Sequence, residues 1–142
     1  MDEQSFFAAS FESGGLRFIS PKDAWPLLHQ GVLLIDLRPD FEGEYKRPLV
    51  PGLVVFPYTE LPNRVGELSV DSFMILADCV GIRSKEIMKL LKGMGFTRIL
   101  SLAGGFVDWE RDGFPIQLDP AKVLSGSCMC QLKARGGKRK QG

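Results

Sequence analysis

Histidine and cysteine are scarce in this chain: one and three among 142 residues. Its soft ligands are therefore His29, Cys79, Cys128 and Cys130, and nothing in their spacing brings them together. No metal centre and no cofactor is expected. Three is an odd cysteine set, so a disulfide framework is not expected either, while reactive or metal-binding thiols stay open. No apolar run is long enough to span a bilayer. Met1-Asp2-Glu3 has the wrong sign for a secretory leader. The expectation is a cytoplasmic protein with no membrane partner. No internal repeat is visible.

A large net charge is also lacking, at +1. The balance is uneven along the chain. Lys133, Arg135, Lys138, Arg139 and Lys140 make residues 132–142 basic, and thirteen basic against seventeen acidic residues leave residues 1–131 at −4. A mildly acidic body argues against a nucleic-acid surface. The basic tail reads as solvated. The chain is 44% hydrophobic and 25% charged, ordinary for a globular protein. Its length fits one domain, large enough to bury a core without staples.

Residues 1–16 read as a leader with no callable period, although Phe6, Phe7 and Phe11 have rings to pack on the body. Ser20-Pro21-Lys22-Asp23 starts a helix, with Ser at the N-cap, Pro at the first position and an acid in the first turn. That helix is expected to reach Gln30 and to stop at Gly31, with His29 as a residue of its last turn. Val32–Ile35, Leu53–Phe56, Phe73–Ala77 and Arg98–Leu102 are apolar runs that read as buried parallel strands. Residues 37–52 read as a long loop. Ile87, Leu90, Leu91 and Met94 recur at helical spacing within a helix from Ser84 to Met94. A short helix follows Gly104-Gly105, around Val107–Arg111, with Phe106 and Trp109 as core. Asp119-Pro120 begins a last turn. Lys85, Lys89 and Lys92 read as a solvated face. Strands alternating with helices predict an α/β fold, a central parallel sheet covered on both faces.

Ligands of such sheets bind beyond the carboxyl ends of the strands. The segment Asp78-Cys79-Val80-Gly81-Ile82-Arg83-Ser84 occupies such a place. Backbone N–H groups of a tight turn and of the helix start converge there into an anion-holding nest. Gly81 permits the twist and Arg83 adds positive charge. A cysteine at the start of such a turn would be a thiolate near neutral pH, suited to sulfur or phosphoryl transfer.

Gly81-Ile82-Arg83-Ser84, Gly95-Phe96, Leu102-Ala103-Gly104-Gly105-Phe106, Trp109 and Gly113-Phe114-Pro115, taken in order, resemble the C-terminal half of a rhodanese domain. Asp36-Leu37-Arg38 with Glu42, and Val50-Pro51-Gly52, resemble its first half. The match runs from about Ile19 to Pro115. The resemblance implies a three-layer sandwich and a rhodanese-like domain over 17–118, between the leader 1–16 and a tail 119–142. It also implies sulfurtransferase chemistry through a cysteine persulfide. Asp36 and Arg38 are then structural, holding loops by hydrogen bonds. The loop with Glu42, Glu44, Lys46 and Arg47 departs from the family pattern: Pro48-Leu49 precede Val50 after a two-residue insertion.

The larger departure is at the nucleophile. Counting back three from Gly81 puts Asp78 at the family's cysteine position, and Cys79 stands one residue late. Adjacent side chains at a strand end point different ways. Asp78 should face the nest, with a lowered pKa, capping the following helix in place of an anion or pairing with Arg83. Cys79 should point to the rim or to a neighbouring helix. It is either a small, partly buried residue or a persulfide carrier in a rearranged loop. Cys128-Met129-Cys130 is open to three readings: an incidental pair, two metal ligands, or a flexible dithiol serving the loop. Three functions compete. One is a binding or regulatory module without persulfide catalysis. Another is an active sulfurtransferase using Cys79, Cys128 or Cys130. The third is a metal- or redox-handling protein built on Cys128-Met129-Cys130. The expected partner is a sulfane-sulfur donor or acceptor, or a protein.

Overall fold

The computed structural model describes residues 1–39 and 46–118. In chain order these residues form α1 (Glu3–Phe7), β1 (Phe11–Ser13), β2 (Leu16–Ile19), α2 (Pro21–Leu28), β3 (Leu33–Asp36), β4 (Lys46–Pro48), β5 (Leu53–Val55), β6 (Met74–Ala77), α3 (Ile82–Gly93), β7 (Ile99–Leu102), α4 (Gly105–Arg111) and β8 (Ile116–Leu118). The main sheet has the order β1-β2-β7-β6-β3-β5. Its neighbours run parallel except β1 with β2.

The two-residue period of a strand sorts the apolar runs into two layers. Leu34, Ile75, Ala77, Leu100 and Leu102 face α2 and α4, where Leu28, Phe106 and Trp109 close the core. Ile35, Met74, Leu76 and Ile99 face the other way, onto Ile87, Met88 and Leu91 of α3. Helices on both faces complete a three-layer α/β sandwich. The strands read as solid apolar runs because both faces are covered. Each fully buried side chain of this kind contributes about 1.5–3 kcal/mol.

Several boundaries differ from the sequence expectation. α2 stops at Leu28, because the next turn tightens: the His29 N–H donates to Pro26 and the Gln30 N–H to Leu27, three residues back. The His29 imidazole stays exposed and bonds the Trp25 carbonyl at 2.8 Å. The first sixteen residues supply α1, the edge strand β1 and the start of β2. Phe6 is fully buried and packs on Phe73, with ring centroids 5.0 Å apart. The stretch expected to be one long loop contains β4, which pairs with β8 in a second, two-stranded sheet. Glu42, Glu44, Asp119-Pro120, Cys128 and Cys130 lie outside the described residues. No described helix is long and apolar enough to cross a membrane.

Candidate functional site

The parallel order puts the ends of β3 and β6 side by side, so the loops that follow them share one space. After β6 the chain turns through Asp78 to Gly81 and enters α3. Gly81 has φ +96°, a left-handed conformation that glycine adopts without strain. The helix has no capping side chain of its own at Gly81. Asp78 supplies the acceptors instead. Its Oδ1 accepts the Gly81 N–H at 2.6 Å and its Oδ2 accepts the Arg83 N–H at 2.7 Å. The first N–H groups of a helix have no partner within it, and here a carboxylate three to five residues upstream satisfies them.

Burial pushes the Asp78 carboxyl above its ordinary value; the N–H groups of Arg83, Gly81 and Ser84 and the Arg83 charge pull it back without prevailing. The sequence expectation of a lowered pKa is thereby corrected. The side chain is only 4% exposed, and desolvation of the charged form outweighs the hydrogen bonds. Of the two alternatives, helix capping is the one found, and no ion pair between Asp78 and Arg83 forms among the described residues. The Arg83 guanidinium lies over the Tyr58 ring instead, 4.1 Å from its centroid, and only its backbone reaches Asp78.

Cys79 is buried beside Val80 and Val107, the latter on α4. It is disulfide-bonded.

Two further elements fix the loop. The α4 N–H groups of Phe106 and Val107 donate to the carbonyls of Asp78 and Cys79, at 2.8 and 3.0 Å. Gly105 makes this approach feasible: at φ +63° a Cβ there would stand 2.4 Å from the Asp78 carbonyl oxygen. Behind α3, the buried Ser84 hydroxyl donates to the Gly81 carbonyl at 3.1 Å. It also meets the Ser101 hydroxyl of β7 at 2.7 Å. With the Ser84 proton committed, Ser101 is the donor of that pair.

The loop after β3 is held by charge. Asp36 is fully buried. Its carboxylate takes two hydrogen bonds from the Arg38 guanidinium, at 3.0 and 2.8 Å, and one from Arg47 at 2.7 Å. Arg38 also donates to the Lys46 carbonyl at 2.8 Å and stacks over Phe106 at 4.2 Å. The buried Lys46 ammonium pairs with Glu110 of α4 at 2.6 Å. Asp36 and Arg38 thus tie the end of β3 to the start of β4. Glu110, Tyr58 and Ser101 are site residues that the sequence did not signal, and Lys46 and Arg47 were expected only as part of an altered loop. Lys46 and Glu110 are 64 residues apart, and no local pattern signals such a pair.

The two loops enclose a pocket of about 260 Å³. Arg38 and Asp78 contribute its buried charges. Leu37, Pro39, Val80 and Ile82 give it apolar wall, and Tyr58 and Arg83 stand with them. Among the described residues, no group of three or more His, Cys, Asp or Glu is placed to hold a metal ion.

A model of the rhodanese-like domain matches residues 20–112. The chain belongs to the rhodanese-like domain family. It is similar to a sulfurtransferase of Allochromatium vinosum, 31% identical over 87 residues, covering 61% of this chain and 79% of the relative. It is also similar to the thiosulfate sulfurtransferase GlpE of Haemophilus influenzae, 28% identical over 102 residues, covering 69% of this chain and 91% of the relative. A solved rhodanese-related protein from Thermoplasma volcanium superposes with a TM-score of 0.65 at 22% identity, covering 72% of this chain and 98% of that one. That likeness agrees with the three-layer rhodanese fold.

Proposed function

We propose that this chain is a rhodanese-like module that does not carry out standard persulfide transfer and serves in binding or regulation. Asp78 stands where the family has its nucleophile. The observation that carries the reading is the pair of hydrogen bonds from Gly81 and Arg83 to the two Asp78 oxygens, at 2.6 and 2.7 Å. The donors that would hold an anionic sulfur donor in a rhodanese cup are engaged by a resident carboxylate. A carboxylate there repels thiosulfate and cannot take up sulfane sulfur.

A second reading is an active sulfurtransferase that uses Cys79, Cys128 or Cys130. It draws on the named sulfurtransferases among the relatives and on Cys79 lining the pocket. In that reading the Cys79 disulfide must first be reduced. Incubation of the reduced chain with thiosulfate, followed by intact-mass measurement, separates the two. The module reading expects no added sulfur. Addition of one sulfur atom per chain, abolished by Cys79→Ser or by alkylating Cys128 and Cys130, overturns it.

A further inference from the structure

The pocket opens beside an unusual helix face. Lys85, Lys89 and Lys92 are all exposed on α3, and their spacing aligns them in one stripe. The Lys85 ammonium lies 5.8 Å from the Phe18 ring centroid, and Lys92 donates to the Gly15 carbonyl at 3.3 Å. These contacts place the stripe on the flank of α3 toward the β1–β2 hairpin. None of the three lysines makes an ion pair among the described residues. Glu86 is the only acid in α3, and helical geometry puts it on the flank away from Lys85 and Lys92. Like charges at this spacing slightly destabilise a helix, so helix stability does not explain them. Ile82 stands at the head of the stripe, 60% exposed, and also lines the pocket.

We propose that the pocket and the lysine stripe form one docking site for an acidic peptide segment of a protein partner. An apolar side chain of the segment enters the pocket at Ile82, and carboxylates follow along Lys85, Lys89 and Lys92. The proposal rests on the binding-module reading and names its ligand class. The pocket, at about 260 Å³, is smaller than the roughly 300–1,000 Å³ of small-molecule sites. It suits one side chain. Lys85 and Lys89 are separated by about 6 Å of helix rise, close to the roughly 6.7 Å between same-side residues of an extended chain. The segment therefore carries acids at alternate positions. A nucleic acid fits less well, because residues 1–131 sum to −4 and the pocket wall is largely apolar.

The test is fluorescence anisotropy with the full, reduced chain. The probe is a labelled peptide of one leucine followed by glutamates at three alternate positions, with serines between. Saturable binding that weakens with salt is expected. Combined Lys85→Glu, Lys89→Glu and Lys92→Glu should weaken it about tenfold or more. Ile82→Ser should weaken it about fivefold and leave the salt dependence intact. Lys22→Glu, on α2, should change it less than about twofold. Circular dichroism verifies folding, since all the altered side chains are exposed. Absence of saturable binding overturns the proposal. So does an equal loss in Lys22→Glu, or tighter binding of a single-stranded oligonucleotide or phosphatidylserine vesicles than of the peptide. The thiosulfate measurement on the same samples keeps the two claims apart. Sulfur uptake defeats the module reading whatever the peptide does; failed peptide binding without sulfur uptake defeats the docking site alone.

Discussion

The two loops that wall the pocket are built on opposite principles. The loop after β6 is held by backbone: α4 N–H groups grip its carbonyls, and its own N–H groups turn inward onto one side chain. The chain on either side of residues 40–45 is held by side chains, through buried Asp36 and Arg38 and half-buried Arg47. The bonds from Phe106 and Val107 to the backbone carbonyls do not depend on which side chain stands at 78. A charge-held loop depends on each partner. On the proposed function, the contrast accounts for a scaffold that tolerates Asp78 in the cup.

The sharpest way to break the contrast is Asp36→Ala. It leaves Arg38, only 3% exposed, without its carboxylate. A loss of about 3–5 kcal/mol is expected, read by urea denaturation. A loss under about 1 kcal/mol would show that charge does not hold this loop. Gly105→Ala probes the backbone side. Its Cβ would meet the Asp78 and Cys79 carbonyl oxygens at 2.4 and 2.5 Å, in a left-handed conformation, and a cost of about 2–4 kcal/mol is expected by the same assay. Ser101→Ala removes a buried donor from behind the cup. About 1 kcal/mol should be lost, with the Ser84 to Gly81 bond retained.

The smallest effect concerns pH. The folded-state pKa of Asp78 is raised above the ordinary 3.8. The associated stability is therefore fully present below 3.8 and is lost as pH rises through the folded value. Relative to Asp78→Ser, the wild-type chain should gain stability as pH falls from neutral toward 3.8. Urea midpoints of both proteins across that range check the sign. A relative loss on acidification would mean that the N–H donors outweigh burial.

Long-range β structure was legible where it was apolar. β6 and β7 lie within the runs that mark them and β3 runs one residue past its own, to Asp36, because burial on both faces leaves a continuous signal. β1, β2, β4 and β8 were not read as strands, β2 because its apolar run is short and broken by Arg17. β1 is exposed at all three residues, and Lys46-Arg47-Pro48 has the composition of a loop; pairing with β8 makes it a strand. α3 begins two residues earlier than its apolar period suggests, since Asp78 caps it from outside the helix. In the candidate site, the Asp78–Ser84 segment was visible as strand, turn and glycine. The Lys46–Glu110 pair and the Tyr58–Arg83 stack were not, because they join distant segments. The pKa direction at Asp78 failed for a related reason: hydrogen-bond donors can be counted in a sequence, but the depth of burial opposing them depends on the packed fold.

The central claim is that this cup is a sound rhodanese scaffold with a carboxylate in the nucleophile's place. Intact mass after thiosulfate treatment, on reduced wild type and on Asp78→Cys in a Cys79→Ser background, tests it most directly. No sulfur is expected on the wild type and one sulfur atom on the variant. A wild-type chain that takes up sulfur at Cys79, or a folded variant that takes up none, would contradict it.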